Sequence, residues 1–381
     1  MPITDALAAQ LDRIAAFDSG PYPVVSLYLN LQPDQHGRDN FDSFLRKALA
    51  DRLRTYGAHG PERHSLEEDA DKIRAYVENV NRAANGLAIF TSSGAGLFEA
   101  IELATPIDQN RLSIADQPHL YPLAKVLDDG PRYAVLLADT NSARIVVVAH
   151  NSVLKTSQIE GLKTRRHKMG GWSQARYQRH IENYHLHHAK DVVDRLSRIV
   201  ADDAIPFVIM AGDEVIIPLL KDQMTKELAE KIVDIVKLDV RAPEHEILAA
   251  TRAMMEEKDA ETDRERVDAL LDAYRANGLA VVGVEDVRAA LEIGQVDELV
   301  ITGAPDRIEI AGPTSGAPPA ARDRVGRPAG SSEGTGPTVE ERTADELIVK
   351  ARQTDAKVRI VQDASLLASI GGVGAFLRFK I

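Results

Sequence analysis

Two glycines and a glutamine near the middle of the chain are residue types that suit a phosphate or an oxyanion. Gly170 and Gly171 lack a β-carbon, so the backbone there can adopt positive φ and approach a ligand closely. Ser173 is a good N-cap for a following helix, which places free backbone N–H groups near Gln174 at the positive end of the helix dipole. We therefore expect an anion to bind at this turn.

Basic side chains surround these residues in an otherwise acidic protein. The formal net charge is −12, yet residues 161–181 contain no Asp or Glu. Lys and Arg neutralise phosphates, and Trp172 can stack on an unpaired base, so the pattern favours RNA binding. A solvated basic loop before a helix is the alternative that spacing alone leaves open. The RNA-binding candidates are Lys163, Arg165, Arg166, His167, Lys168, Trp172, Arg176 and Arg179.

The helix after this segment carries four histidines whose spacing is not typical of a metal site. His180 and His187 share a face, but zinc helices generally use i, i+4, where the sequence has Tyr184, and no HExxH occurs. We expect a polar helix face that contacts RNA or a partner, with no metal and no cofactor. The alternative is a metal-dependent or RNA-cleaving hydrolase that uses the helix histidines His180, His185, His187 and His188.

Other catalytic signatures are absent from the sequence. There is no GxSxG, P-loop or GxGxxG motif, and the lack of cysteine excludes disulfides and thiolate nucleophiles. An enzyme would have Gln174, backbone amides and a positioned water, which suffice for an activated substrate such as an ester. No apolar run approaches the ~20 residues that span a bilayer, and the first residues lack a secretion signal. We expect a cytoplasmic protein without membrane contact.

The elements that position these residues indicate an α/β protein of three domains, because 381 residues exceed the usual size of one. Residues 1–128 form an α/β N-terminal domain, and residues 129–243 form a middle domain with the glycine pair and a long helix. Residues 244–381 form a C-terminal domain. Its residues 303–340, rich in Gly, Pro and Ser, are predicted to be a flexible insertion.

Hydrophobic periodicity predicts the individual strands and helices. The predicted strands are Val24–Leu31, Gly86–Thr91, Leu97–Leu103, Tyr133–Asp139, Arg144–Ala149, Val153–Ile159, Phe207–Ala211, Leu279–Val284, Glu298–Thr302 and Val358–Val361. The predicted helices are Phe41–Leu53, Leu66–Val80, Ser173 to about Ala201, Leu219–Ile235, Glu246–Lys258, Thr262–Asn277, Val287–Glu292 and Thr343–Thr354.

Two regions resemble the archaeal and eukaryotic class I translation termination factors and their relatives Pelota and the peptidyl-tRNA hydrolase of ribosome quality control. One is KMGGWSQARYQRHIENYHLHHAKDVVDRL, which is similar to the GGQ loop and the helix after it. The other is GLAVVGVEDVRAALEIGQVDELVITG, continued after the insertion by DELIVKARQTDAKVRIVQDASLLASIGGVGAFLRF, which is similar to the domain that docks on a translational GTPase. The chain is thus identified as a bacterial member of this superfamily.

The resemblance implies a fold and an activity. It implies an RNase H-like middle domain, an L7Ae-like α/β C-terminal domain, and a loop that reaches the peptidyl-transferase centre. Gly170 and Gly171 match the family's glycines, and Gln174 matches the glutamine that orients water against the ester joining peptide to tRNA. The implied partners are the ribosome, through rRNA and P-site tRNA, and a GTPase similar to elongation factor Tu.

Two departures from the family pattern shape the functional expectation. Trp172 and Ser173 stand between the glycines and Gln174, a G-x-x-Q spacing that the quality-control hydrolases tolerate. The N-terminal domain has no NIKS and no cysteine-containing motif, so rescue of stalled ribosomes fits better than stop-codon-specific termination. The alternative is a hibernation factor similar to Balon, which occupies the ribosomal A site without hydrolysis.

Overall fold

The structure is a computed structural model that describes residues 3–33, 41–56, 59–81, 84–128, 130, 132–149, 152–160, 173–310 and 336–380. Three sheets with flanking helices confirm the predicted α/β class. The described chain forms two compact units, one made of residues 3–129 with 260–381 and the other of residues 130–259.

The N-terminal domain is a four-stranded antiparallel sheet in the order β3-β2-β1-β4. Its strand β1 is buried on both faces, which explains the continuous apolar run. Leu27 and Leu29 pack with α2 and α3, whereas Tyr28 packs in a second core with α1 and α4. The elements are α1 (Ile3–Ala15), β1 (Val24–Asn30), α2 (Phe41–Leu53), α3 (Pro61–Glu78), β2 (Gly86–Ser92), β3 (Leu97–Leu103), β4 (Arg111–Ala115) and α4 (Tyr121–Asp128).

The middle domain has a five-stranded sheet in the order β7-β6-β5-β8-β9. Strands β5, β6 and β7 form an antiparallel meander, and β8 and β9 continue from β5 in parallel. This order and these directions are those of an RNase H-like fold. The elements are β5 (Tyr133–Ala138), β6 (Ser142–Ala149), β7 (Ser152–Glu160), α5 (Ser173–Asp202), β8 (Phe207–Gly212), α6 (Ile216–Gln223), α7 (Lys226–Glu230) and β9 (Ile232–Val236).

The C-terminal domain has a four-stranded sheet in the order β10-β13-β11-β12, in which only the β11 and β12 pair is parallel. Helices α9 and α10 pack on one face, and Val267 and Leu270 of α8 pack in a separate core with Val300. The elements are α8 (Glu244–Arg275), β10 (Ala280–Val282), α9 (Val284–Glu292), β11 (Val296–Thr302), α10 (Val339–Gln353), β12 (Lys357–Val361) and β13 (Val373–Leu377). The residues of α8 up to 259 belong to the middle unit, where Ile247 and Met255 are buried in the core.

Two helix predictions are wrong. The predicted helix Leu219–Ile235 is two short helices followed by β9. Thr225 caps the second helix, α7, by accepting the amide of Leu228, and the alternating sequence IVDIV then forms β9 at the edge of the sheet. The two predicted helices before and after Thr262 are one helix, α8, of 32 residues. The sequence between them, EKDAET, contains no Gly or Pro to interrupt it.

The predicted flexible insertion, residues 303–340, is partly ordered at both ends. Residues 303–310 continue from β11 through a 3-10 turn at Pro305–Arg307, and Ile308 is buried. At the other end Thr338 and Glu341 form a capping box that starts α10. Residues 311–335, the centre of the predicted insertion, lie outside the described residues.

Candidate nucleic-acid interface

The segment with the glycine pair joins an edge strand of the middle sheet to its longest helix. Strand β7 ends at Glu160, opposite Ser142, and α5 begins at Ser173. Since β7 is antiparallel to β6 and β6 to β5, the end of β7 lies at the carboxyl end of the parallel strands β5 and β8. Strand β7 therefore ends at the carboxyl edge of the sheet, and twelve residues separate it from the start of α5.

Polar contacts join β7 to the C-terminal part of α5 and to the residue after it. Arg195 on α5 donates to Ser157 on β7 at 3.4 Å. Lys155 on β7 lies 3.6 Å from the carboxylate of Asp203, just after α5, and Arg132 approaches the same carboxylate at 3.7 Å. These contacts fix the C-terminal part of α5 to the sheet.

Most of the predicted site residues lie outside the described residues: Lys163, Arg165, Arg166, His167, Lys168, Gly170, Gly171 and Trp172. Gln174, Arg176 and Arg179 belong to the first turns of α5, and their side chains are likewise outside the description. The backbone nevertheless fixes one relation. Gln174 is the second residue of the helix, among the first four N–H groups that lack an intrahelical partner.

The charge at this helix terminus favours an anion. The first turn of α5 contains no acidic residue that would neutralise the positive end of the helix dipole. The helix has 30 residues and is about 45 Å long. The field at its N-terminus comes from the first turn. A phosphate or a developing oxyanion near Gln174 would be stabilised by these free amides.

The buried side of α5 agrees with the sequence prediction. Val192, Val193, Leu196 and Ile199, which the sequence predicts as buried, lie in the middle-domain core. This spacing anchors the C-terminal half of α5 in the core. Ile181 is predicted on the same side of the helix, and its side chain lies outside the description.

The three histidines of α5 whose side chains are described differ in their exposure. His187 is exposed, His188 is buried, and His185 is intermediate with its ring 6.3 Å from that of Tyr184. Among the described residues, no group of three or more His, Asp and Glu side chains is arranged to hold a metal ion. The side chain of His180 lies outside the description.

His188 corrects the expectation of a purely polar face. It is only 4% exposed, and in the described structure its Nε2 and the hydroxyl of Tyr184 are buried without a hydrogen-bond partner. Burial raises the pKa of Tyr184. The sequence contained the signal, because His188 lies four residues before Val192 and therefore on the apolar side of the helix.

Two carboxylates at the carboxyl edge of the sheet are fully used by local turns. Ala138 and Gly212 are paired neighbours, so Asp139 and Asp213 follow adjacent parallel strands. Asp139 accepts the amides of Asn141 and Ser142 at 2.7 Å, and Asp213 accepts those of Val215 and Ile216 at 2.9 and 2.8 Å. We assign both residues to turn formation.

Family models match the two domains that carry the predicted motifs. The model of the bacterial archaeo-eukaryotic release factor family 10 matches residues 118–256, and that of eRF1 domain 3 matches residues 260–381. The chain belongs to the archaeo-eukaryotic release factor superfamily. The predicted resemblance is thereby confirmed, and the matched ranges contain both the glycine pair and α5.

Relatives in this superfamily align with nearly the whole chain. Peptide chain release factor subunit 1 of Aeropyrum pernix is 22% identical over 400 residues, covering 98% of this chain and 95% of the relative. The uncharacterized protein Rv2629 of Mycobacterium tuberculosis is 25% identical over 370 residues, covering 94% and 93%. The similarity is therefore not confined to one domain.

Two solved structures of superfamily members also align with the chain. Archaeal Pelota, from a structure of the ribosome-bound protein and ABCE1, covers all of this chain with 95% of its own length, at 16% identity and a TM-score of 0.44. The archaeal termination factor aRF1 covers 99% of this chain with 98% of its own length, at 19% identity and a TM-score of 0.28.

The domain that matches eRF1 domain 3 exposes apolar side chains at one end of its sheet. Leu279, Ile293 and Phe379 are 46%, 56% and 47% exposed. Their stretches of chain meet, because the amide of Leu377 donates to Leu279 and the side chain of Gln295 donates to the carbonyl of Phe379. This release factor superfamily member therefore has an apolar surface beside the end of β13.

Across the described residues, no helix is both long and apolar enough to cross a membrane.

Proposed function

We propose that this chain is a ribosome-binding rescue factor that enters the A site and hydrolyses the ester of peptidyl-tRNA. The observation that carries the proposal is the position of Gln174 in the first turn of α5, three residues after Gly171, in the domain that matches a release factor family. A ribosomal role also agrees with the expected cytoplasmic location.

The proposed mechanism uses residues at the helix terminus. Gly170 and Gly171 let the backbone approach the ester, while Gln174 orients a water molecule toward the carbonyl carbon. The water oxygen bonds to that carbon and the bond to the 3′-terminal ribose oxygen breaks, with one water proton passing to the ribose oxygen. Free amides at the helix terminus stabilise the tetrahedral oxyanion. The products are a peptide acid and deacylated tRNA.

Peptide release from stalled ribosomes tests the proposal. Ribosomes carrying labelled peptidyl-tRNA and an empty A site are mixed with the wild-type chain, Gln174→Ala or Gln178→Ala. Gln178 is the matched control because it lies one helical turn further along α5. We expect Gln174→Ala to slow release by about 10²-fold or more, as loss of a transition-state contact does, and Gln178→Ala to retain the rate. Equal rates for wild type and Gln174→Ala would refute the catalytic assignment.

A second candidate function is occupancy of the A site in idle ribosomes without hydrolysis. Trp172 and Ser173 separate the glycines from the glutamine, and α5 already begins at Ser173. Both features support the occupancy function, because a helical backbone restricts how far Gln174 can adjust. This function predicts a stable complex with vacant ribosomes and their protection from degradation. The release experiment separates the two functions, since an occupancy factor binds and leaves peptidyl-tRNA intact.

We further propose that the C-terminal domain binds a translational GTPase similar to elongation factor Tu. The match to eRF1 domain 3 supports a docking role, and the exposed Leu279, Ile293 and Phe379 supply apolar area of the kind that interfaces bury. Arg378 and Lys380 flank Phe379 and give the surface a basic rim. Binding of the purified GTPase with GTP, measured by calorimetry, tests this proposal.

A further inference from the structure

A buried carboxylate joins the N-terminal and C-terminal domains, which lie in the same compact unit. Asp345 on α10 lies 2.6 Å from Nδ1 of His119, and its other oxygen accepts the amide of Tyr121 at 2.8 Å. His119 is 2% exposed and Asp345 is 6% exposed. The two carboxylate oxygens are therefore both used by residues of the other domain.

Other buried groups hold the same junction. The hydroxyl of Tyr121 donates to the carbonyl of Thr302 on β11 at 3.0 Å. The hydroxyl of Tyr28 donates to the carbonyl of His119, and the two rings meet edge to face with centroids 6.0 Å apart. His119 is thus fixed at its backbone, at Nδ1 and on its ring face.

The apolar core is continuous across the two domains. One cluster contains Tyr28 and Phe90 of the N-terminal sheet together with Leu347 and Ile348 of α10. Helix α10 packs against both α1 and α4, and α4 packs against β12. Separating the domains would expose this core to water, and each Å² of apolar surface exposed would cost about 25 cal/mol.

Polar contacts close the edges of the junction. Arg111 pairs with Glu341, and Gln353 donates to the carbonyl of Ala15 at 2.9 Å. The carboxylate of Asp128 accepts the amide of Ile360 at the outer edge of β12. Burial opposes ionisation of Glu341, but the Arg111 guanidinium and the Thr338 amide lower its pKa overall. The junction therefore has an apolar centre and a polar rim, although Nε2 of His119 and Nε of Arg352 are buried without a hydrogen-bond partner in the described structure.

We propose that the N-terminal and C-terminal domains act as one rigid body and that Asp345 is the positioning residue that sets their register. A shift of α10 relative to α4 would leave the buried carboxyl group of Asp345 without its two hydrogen-bond partners, an arrangement that is strongly unfavourable. Apolar contacts alone tolerate sliding, whereas two directed hydrogen bonds to one carboxylate define a single position. A ligand that fixes one of the two domains therefore fixes the other.

Distances between spin labels test this proposal in the full chain, which contains no cysteine and so accepts labels only at introduced sites. The exposed Ala75 on α3 and Ala289 on α9 are replaced by cysteine as a pair that crosses the junction. Ala50 on α2 with Ala75 is the matched pair within the N-terminal domain. We expect equally narrow distance distributions for both pairs. A broad or two-peaked distribution for the crossing pair alone would overturn the rigid body.

Asp345→Asn tests the positioning role in the same labelled chains. The amide keeps one acceptor oxygen but replaces the other with a donor that faces Nδ1 of His119. We expect the crossing distribution to broaden while the pair within the N-terminal domain is unchanged. His119→Gln is the second variant, expected to broaden it in the same way. If both variants keep the narrow wild-type distribution, Asp345 does not set the register. These results require no release activity and are independent of the proposed function.

Discussion

Replacing Asp69 by alanine should destabilise the N-terminal domain far more than removing an exposed charge from the same helix would. Asp69 lies on α3 and is fully buried. Its Oδ1 accepts the amide of Ser93 at 2.8 Å, the hydroxyl of Ser93 at 2.6 Å and the hydroxyl of Thr91 at 2.7 Å. One carboxylate oxygen therefore holds the turn between β2 and β3 against α3.

The cost of Asp69→Ala depends on whether the three donors that lose Asp69 can find other acceptors. The Thr91 hydroxyl can turn to the carbonyl of Leu97 at 3.1 Å. The Ser93 hydroxyl accepts from the Lys72 ammonium at 2.9 Å, and that contact offers its own proton no acceptor. The Ser93 amide has no such option among the described residues, and an unsatisfied buried donor costs about 1–3 kcal/mol. Adding the lost hydrogen bonds to a charged group, we expect Asp69→Ala to cost about 2–4 kcal/mol.

Two further variants sharpen this prediction. Asp69→Asn keeps an acceptor oxygen, so it should cost about 1 kcal/mol or less. Asp71→Ala is the matched control, because Asp71 is exposed two residues away and pairs only with Arg74 among its described ion pairs, at 2.9 Å. Such an exposed pair contributes about 0–1 kcal/mol. Native-state hydrogen exchange of the β2 amides measures all three free energies. If Asp69→Ala is as mild as Asp71→Ala, the assigned role of Asp69 is wrong.

The pH dependence of Asp69 has a definite sign. Burial raises its pKa, although the hydrogen bonds from Ser93 and Thr91 oppose the shift. From about pH 4 up to the raised folded value, the folded state retains a proton that the unfolded state has released. Wild-type stability must therefore fall as pH rises through that window, and Asp69→Asn must lack this contribution. Urea denaturation at several acidic pH values measures the difference, and identical pH profiles would contradict the shift.

Three other predictions address the surfaces and a helix terminus. Phe379→Ser should weaken GTPase binding, measured by calorimetry, about tenfold or more. Val339→Ser is the control, because Val339 is 53% exposed elsewhere in the domain, and it should not weaken binding. Equal effects of the two substitutions would exclude this surface. Replacing Arg165 and Arg166 together by alanine should lower the slope of log affinity for rRNA against log salt by about 1.4–1.8, measured by filter binding; an unchanged slope would mean that neither contacts phosphate. Thr338→Ala removes the cap of α10 and should cost about 1 kcal/mol in hydrogen exchange of that helix; no change would show that Glu341 alone suffices.

Local patterns in the sequence predict elements whose burial repeats at a single period. Helix α5 is the clearest case, because its buried residues Val192, Val193, Leu196 and Ile199 follow the helical period over several turns. The predicted strand at Phe207–Ala211 likewise matches β8. The short β9 was missed because Ile232–Val236 directly follows helical sequence and is too brief to show its own period.

Contacts between distant residues could not be predicted in the same way. His119 and Asp345 are separated by 226 positions, and each has polar neighbours that look like ordinary surface sequence. Their burial results from the packing of α10 on the N-terminal domain, which no local periodicity encodes. The catalytic assignment of Gln174 depends on family resemblance, because its chemistry requires a substrate that the chain does not contain.

The charge distribution imposes a further condition on any RNA complex. The net charge of −12 repels rRNA at long range, while residues 161–181 are free of acid and attract it at short range. Salt weakens both interactions, because the screening length at physiological ionic strength is about 8 Å. Raising the salt concentration therefore loosens the phosphate contacts and at the same time relieves the repulsion. The salt dependence of wild-type binding must accordingly be shallower than the number of cations in the segment would give by counterion release alone.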